Sequence, residues 1–165
     1  MNDLEFMLNR YLKLREAIAN WLKKNFDEDA WYFQPAPAAN SAAWIVPHLI
    51  VFEQIKVYDQ IPGYAFHRVA TEEQVARYKP GAAGYAMGRG ELMPMHDVLV
   101  GLAATRKITE TFFHALLTDS PLVAEVDRRV AFDRYFLNFT HDTEHYGQLK
   151  YLSGTWERQT RRTHG

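Results

Sequence analysis

Two histidines, His141 and His145, stand four residues apart in a segment whose apolar residues recur at helical spacing. In an α-helix, residues four apart lie about 40° from each other around the axis, one turn above the other. Two imidazoles in this arrangement can bind the same metal ion. A metal site needs at least one further ligand. The best candidate is His48, which lies in the middle of another apolar helical stripe.

Three neutral histidines with an open fourth position are typical of a catalytic metal site rather than a closed structural site. Zinc fits this donor set best, while nickel, iron(II), manganese and copper stay open because imidazole binds them all. Water bound to such an ion can have a pKa of about 7 and act as hydroxide. Glu144, Asp142 or Gln148 could orient a ligand histidine or that water, and Glu144 is the candidate supporting catalytic residue. Trp44, Phe52 and the glycine-rich loop of residues 81–90 are expected to wall the pocket.

One polar stripe runs along an otherwise apolar helix, on the face that carries the histidine pair. A helix with so much apolar surface is expected to be largely buried. Each unpaired polar group buried there costs about 1–3 kcal/mol, so these side chains need partners, water or a metal ion. The stripe contains Arg134, Asn138, His141, His145 and Gln148, with Glu144 at its edge.

Two other interpretations of the histidines compete with the metal site. They could be core residues satisfied by hydrogen bonds, which suits His48 alone but not a pair inside a polar stripe. Residues 141–145 also spell H-x-x-E-H, the inverted zinc-protease motif, in which Glu144 would be the general base. Such enzymes take a third ligand well downstream, whereas only 20 residues follow His145, with Glu157 the sole carboxylate among them. The site does not need the remaining histidines, His67, His96, His114 and His164.

Apolar residues at spacings of three and four predict four amphipathic helices, with no strand alternation and no repeat. This pattern predicts an all-α four-helix bundle, and the length of 165 residues predicts a single domain over residues 1–165. Pro47 should kink the second helix or leave a carbonyl unpaired there. The helices are expected from an Asn2 N-cap to about Phe26, from Ala42 to Asp59, from Met93 to about Leu117, and from Val130 to Ser153, with Gly154 as C-cap.

A long connection, residues 61–92, separates the second and third helices. Thr71 and Gln74 resemble a capping box that begins one short helix, and Pro80-Gly81 stops it. Residues 81–90 hold four glycines in ten residues. No strand precedes them as a dinucleotide-binding loop requires, and the GxxxxGK[ST] phosphate loop is absent. A flexible surface loop is favoured here over a mobile lid above the site.

Composition excludes several classes of protein. Hydrophobic residues make up 47% and charged residues 24%, and a net charge of -1 provides no basic field for nucleic acid. Cysteine is absent, which excludes disulfides, thiolate metal ligands and a cysteine nucleophile. No apolar run approaches the ~20 residues of a membrane span, and the N-terminus lacks the pattern of a signal peptide. A cytoplasmic protein without a membrane partner is therefore expected.

Two blocks of sequence resemble the DinB-like/YfiT-like superfamily of small bacterial four-helix-bundle proteins. They are Ser41-Ala-Ala-Trp44-Ile-Val-Pro-His48-Leu and His141-Asp-Thr-Glu-His145-Tyr-Gly147-Gln148-Leu. In that family, one metal histidine follows a Ser-x-x-Trp-like helix start. Two more form H-x-x-x-H, commonly followed by x-Gly-Gln. The resemblance therefore implies a metal role for His48, His141 and His145.

The resemblance also implies a divalent metal, often zinc or nickel, and frequent homodimers. Members with established activity use low-molecular-weight thiols, as S-transferases or as maleylpyruvate isomerase. A metal-bound thiolate would then be the nucleophile. Two hypotheses for the function of this chain follow. One is a metal-dependent thiol S-transferase or hydrolase acting on a small molecule. The alternative is a non-catalytic metal-binding stress-response or binding module of the same fold.

Overall fold

The computed structural model describes residues 3–163, which form six α-helices and no β-strand. Four of the helices are long and confirm the predicted all-α fold. The predicted N-cap Asn2, and His164, lie outside the described residues. The helices are α1 (Asp3–Asn25), α2 (Glu28–Tyr32), α3 (Ala42–Lys56), α4 (Glu72–Tyr78), α5 (Met95–Leu117) and α6 (Arg128–Thr163).

The four long helices form a four-sided bundle. α1 packs against α5 and α6, and α3 packs against the same two helices. α1 is amphipathic and buries a single stripe spaced by three and four residues, which includes Tyr11, Ile18 and Leu22. α3 differs because every residue from Ala42 to Gln54 is buried. A side chain on α3 therefore meets other protein groups in all directions, and His48 lies in the middle of this helix.

α3 continues through Pro47 from Ala42 to Lys56. Because proline has no N–H, it cannot donate the usual α-helical hydrogen bond to the carbonyl of Ala43. The helix also ends earlier than the predicted Asp59, and a 3₁₀ turn over Tyr58–Gln60 follows it. The proline is thus accommodated one residue before the candidate ligand.

α6 extends well past its predicted end, and the assignment of Gly154 as C-cap is wrong. Gly154 lies inside the helix, which runs to Thr163. Glycine permits a helix to end but does not force it to do so. The added turns carry Trp156, whose ring packs at 5.3 Å from the ring of Phe33. This contact stabilises the continuation of the helix.

The short helix α2 was not predicted. Asp27 caps it by accepting a hydrogen bond from the N–H of Ala30 at 2.8 Å. Trp31 on this helix is 1% exposed, and its indole N–H donates to the carbonyl of Met93 at 2.9 Å. Trp31 therefore anchors a helical turn against the bundle.

The short helix predicted in the connection between α3 and α5 is confirmed. α4 begins with a capping box between Thr71 and Gln74. In the glycine-rich segment, 3₁₀ turns occupy Gly84–Ala86 and Arg89–Glu91. Gly84 is buried, and a Cβ atom on it would overlap the ring of Trp44. The segment is a surface loop that contacts the wall of the histidine site.

α6 is less buried than its apolar composition suggested. Phe136, Leu137 and Tyr151 are 51%, 41% and 62% exposed. The expectation that this helix would be largely buried is wrong for these side chains. A corner helix in a four-sided bundle faces its two neighbours and leaves its outer face in solvent.

Candidate metal centre

Three histidine rings meet where α3 packs against α6. The Nε2 atom of His141 lies 3.1 Å from Nε2 of His48 and 3.2 Å from Nε2 of His145. All three residues offer a ligand atom within 4.8 Å of the others. Nitrogen ligands bound tetrahedrally at 2.0–2.1 Å from zinc stand about 3.3 Å apart. Two of the three nitrogen pairs are therefore spaced as ligands of one metal ion would be, and the group could hold such an ion.

The outer ring nitrogens of two histidines are engaged by hydrogen bonds. His48 Nδ1–H donates to the carbonyl of Tyr78 at 2.6 Å, and His145 Nδ1–H donates to Gln148 Oε1 at 2.9 Å. A proton on Nδ1 leaves the Nε2 of a neutral imidazole with a free lone pair. Both rings therefore present lone pairs toward Nε2 of His141.

Hydrogen bonds among the three rings cannot pair all three of the Nε2 atoms that face one another. A neutral His141 has one ring proton, so it can donate to His48 or to His145 but not to both. At least one lone pair then faces another nitrogen without a proton between them. A divalent cation accepts all three lone pairs together. The three histidines are therefore better explained as ligands of a metal ion than as core residues that satisfy one another by hydrogen bonds.

Two aromatic rings of α3 pack against the histidines. The Trp44 ring stacks on His48 with centroids 4.7 Å apart, and the Phe52 ring stacks on His141 at 3.5 Å. His48 is 4% exposed, whereas the side chain of His141 is 15% exposed. The site is therefore closed on the α3 side and reachable from solvent on the α6 side.

Burial keeps two of the histidines neutral. Loss of solvation lowers the pKa of His48 to about 4, although its hydrogen bond to the Tyr78 carbonyl acts in the opposite direction. The pKa of His145 is also lowered, first by burial and then by the neighbouring His141, and Gln148 opposes this. Neutral imidazole is the form that binds metal. Both rings are therefore in the binding form at neutral pH.

The predicted supporting residues differ in position. Gln148 contacts His145 directly, as described above. Glu144 is exposed, and its negative charge acts on His145 by raising its pKa. Asp142 points into the bundle and pairs with Arg15, its Oδ2 lying 2.6 Å from Arg15 Nε. His67, His96 and His114 are exposed and lie outside the cluster, as predicted.

Sequence reasoning missed the ionic residues next to the site. Arg15 pairs with Glu53 at 3.1 Å as well as with Asp142, and all three side chains are almost completely buried. The sequence does carry a signal for Arg15. It lies four residues after Tyr11 and three before Ile18, on the apolar stripe of α1. A charged residue at such a position is expected to have a buried partner.

This fold and this histidine cluster together define a small helical-bundle protein with a candidate metal site. Residues 11–149 match the family model described as DinB superfamily. The chain belongs to this superfamily, and the matched range includes all three histidines. No curated protein and no solved structure gave a match. None of the helices described for residues 3–163 combines the length and apolar character of a membrane span.

Proposed function

We propose that this protein binds a divalent metal ion through the Nε2 atoms of His48, His141 and His145 and acts as a metal-dependent enzyme. The convergence of the three Nε2 atoms carries the proposal, because two of them present lone pairs fixed by hydrogen bonds at Nδ1. Zinc fits the nitrogen donors and their spacing best. Nickel, iron(II) and manganese are the other candidates, since imidazole also binds them.

A divalent ion with an open position lowers the pKa of a bound water or thiol and so supplies a nucleophile at neutral pH. The chain's own residues orient and shield this position. Tyr78 and Gln148 fix the rings of His48 and His145, while Trp44 and Phe52 exclude water from the α3 side. A small-molecule substrate would enter past His141 and His145. Glu144 is exposed next to His145, where it could accept a proton from an incoming group.

The reaction we propose is transfer of a low-molecular-weight thiol to an electrophilic small molecule. The thiol loses its S–H proton to a base or to solvent, its sulfur forms a bond to the electrophilic carbon, and the bond from that carbon to the leaving group breaks. The protein contains no cysteine, so the sulfur nucleophile would have to come from solution. Hydrolysis with water as the nucleophile is the second enzymatic candidate. The alternative function is a non-catalytic metal-binding module of the same fold, in which the ion stabilises the bundle.

Activity assays on metal-loaded protein separate these functions. Zinc-loaded and nickel-loaded protein is incubated with glutathione, bacillithiol or mycothiol and a panel of electrophiles, and a panel of ester and amide substrates tests hydrolysis. We expect thiol-dependent turnover that disappears after chelation and in His145→Ala. Turnover of esters or amides without a thiol would favour the hydrolase. No turnover in either panel, together with a large fall in melting temperature after chelation, would favour the binding module.

We further propose that the protein is a homodimer. Phe136, Leu137 and Tyr151 on α6 are large apolar side chains exposed to solvent, which is a feature of association surfaces. Sedimentation equilibrium should give twice the mass of the chain, and Phe136→Glu should shift the protein toward the monomer. A monomeric wild-type protein at micromolar concentration would contradict the proposed dimer.

A further inference from the structure

A buried ionic cluster lies beside the three histidines in the centre of the bundle. Arg15 of α1 pairs with Glu53 of α3 at 3.1 Å and with Asp142 of α6 at 2.6 Å. α5 contributes Thr109, whose hydroxyl donates to Glu53 Oε1 at 2.7 Å. Tyr135 of α6 lies 3.2 Å from the Thr109 hydroxyl and donates to it. Each of the four long helices therefore contributes to one polar cluster.

Two carboxyl groups share one cation in this cluster. Within residues 3–163, the Arg15 guanidinium is the cation that pairs with both Glu53 and Asp142. Burial raises the pKa of Glu53, and Arg15 and Thr109 oppose this shift. Buried charge is unfavourable unless it is paired and hydrogen-bonded. Glu53 has a further donor in Thr109. Asp142 Oδ1, in contrast, is buried and has no hydrogen-bond partner among residues 3–163.

The ring of His141 can supply the hydrogen-bond donor that Asp142 Oδ1 lacks. Its Nδ1 atom is buried, lacks a hydrogen-bond partner in the described part of the chain, and lies 3.9 Å from Asp142 Oδ1. If Nε2 of His141 gives its lone pair to a metal ion, the ring proton must reside on Nδ1. Metal binding would then create a buried N–H next to a carboxylate oxygen that has no other donor among the described residues.

We propose that Asp142, held in place by Arg15, is the positioning residue for His141. It stabilises the form of the ring with the proton on Nδ1 and so directs Nε2 to the metal. This inference rests on the proposed metal binding by the three histidines. Each ligand ring then has an outer partner of its own, namely the carbonyl of Tyr78 for His48, Gln148 for His145, and Asp142 for His141.

Two matched substitutions test this role. Asp142→Asn and Glu53→Gln each remove one buried carboxylate charge from the same guanidinium, but only Asp142 faces a histidine ring. Zinc affinity is measured by competition with a chromophoric chelator. We expect Asp142→Asn to weaken zinc binding about 10- to 100-fold, as loss of an outer partner does, and Glu53→Gln to bind zinc as wild-type protein does. Equal affinities in the two variants, whether weakened or unchanged, would overturn the role of Asp142.

A second measurement needs no variant and decides the question if Asp142→Asn does not fold. In zinc-loaded wild-type protein with ¹⁵N-labelled histidine, the Nδ1–H proton of His141 should exchange slowly with solvent. It should also resonate further downfield than that of His145, because a carboxylate is a stronger acceptor than the Gln148 amide. Rapid exchange or a signal upfield of His145 would overturn the proposal.

The two proposals fail in different ways. Wild-type protein that binds no zinc would overturn the metal site itself. Wild-type protein that binds zinc, with equal zinc affinities in Asp142→Asn and Glu53→Gln, would contradict only the role of Asp142.

Discussion

His48 and His145 are restrained by different kinds of outer partner, and this affects how each can be tested. The partner of His48 is a backbone carbonyl, which no side-chain substitution removes. The partner of His145 is the side chain of Gln148, on the same helix. His48 lies on α3, which is buried along most of its length, so its replacement would disturb the bundle. Of these two rings, His145 is therefore the one that can be removed with less change to the bundle.

Substitution His145→Ala should weaken metal binding by more than the 10- to 100-fold that loss of an outer partner costs, because it removes a ligand itself. The matched control is His114→Ala, which removes an exposed histidine from α5. Both proteins are titrated with zinc against a chromophoric chelator. Equal zinc affinity in the two variants would show that His145 is not a ligand.

The protonation of His48 predicts a pH dependence of stability in the metal-free protein. Burial lowers its pKa from 6.5 to about 4 in the folded state. Below pH ~6.5 the unfolded chain binds a proton at this residue that the folded chain does not bind, so stability falls as the pH decreases toward about 4. The loss is at most about 3.4 kcal/mol.

Urea unfolding of chelator-treated protein at about pH 7 and about pH 4.5 measures this loss. His48→Gln provides the control because glutamine does not titrate in this range. The variant should lose less stability than wild-type protein between the two pH values. If both proteins lose the same amount, His48 does not carry the depressed pKa.

At the scale of elements, the glycine-rich segment is tied to the metal centre through Trp44. The indole contacts Gly84 and stacks on the ring of His48. A methyl group at position 84 would overlap the indole and displace it. The loop thus helps to set the position of a candidate ligand although it contributes no ligand itself.

Gly84→Ala should therefore lower both the melting temperature and the zinc affinity. The control is Gly90→Ala, in the same segment, where a Cβ atom would meet nothing within 4 Å. Thermal melting and zinc titration compare the two variants with wild-type protein. If Gly84→Ala behaves like Gly90→Ala, the contact with Trp44 does not support the site.

The recurrence of apolar residues at spacings of three and four was sufficient to predict the four long helices, although α3 is buried on all sides from Ala42 to Gln54. It was also sufficient to select His48, His141 and His145, since a histidine on an apolar face and a pair one turn apart can be recognised in each helix separately. The end of α6 could not be predicted in this way. Gly154 allows a cap, and whether the helix ends there depends on Trp156 meeting Phe33, a residue far away in sequence.

At the scale of the whole molecule, the ionic cluster depends on how the helices are arranged. Arg15 reaches Glu53 across the centre of the bundle, between two helices that both pack on α5 and α6. No local pattern shows which buried charges will meet. Pairing of Arg15 with Glu53 and Asp142 therefore could not be derived before the arrangement of the helices was known, although the position of Arg15 on an apolar stripe indicated some partner.

Arg15→Met should reduce the free energy of unfolding by about 3–5 kcal/mol, because it leaves two buried carboxylates without their cation. Lys13→Met, on the exposed face of the same helix, should change it by less than about 0.5 kcal/mol. Urea denaturation of the two variants gives both values. Similar losses in the two variants would contradict a structural role for the buried pairs.

The metal content and coordination of the native protein test the central claim most directly. Protein purified without a metal-affinity tag is analysed by mass spectrometry for metal and by X-ray absorption at the edge of the metal found. We expect about one divalent ion per chain, with three imidazole nitrogens in its coordination shell, at about 2.0–2.1 Å if the metal is zinc. Less than about half an equivalent of metal, or a shell without imidazole nitrogen, would contradict the three-histidine site.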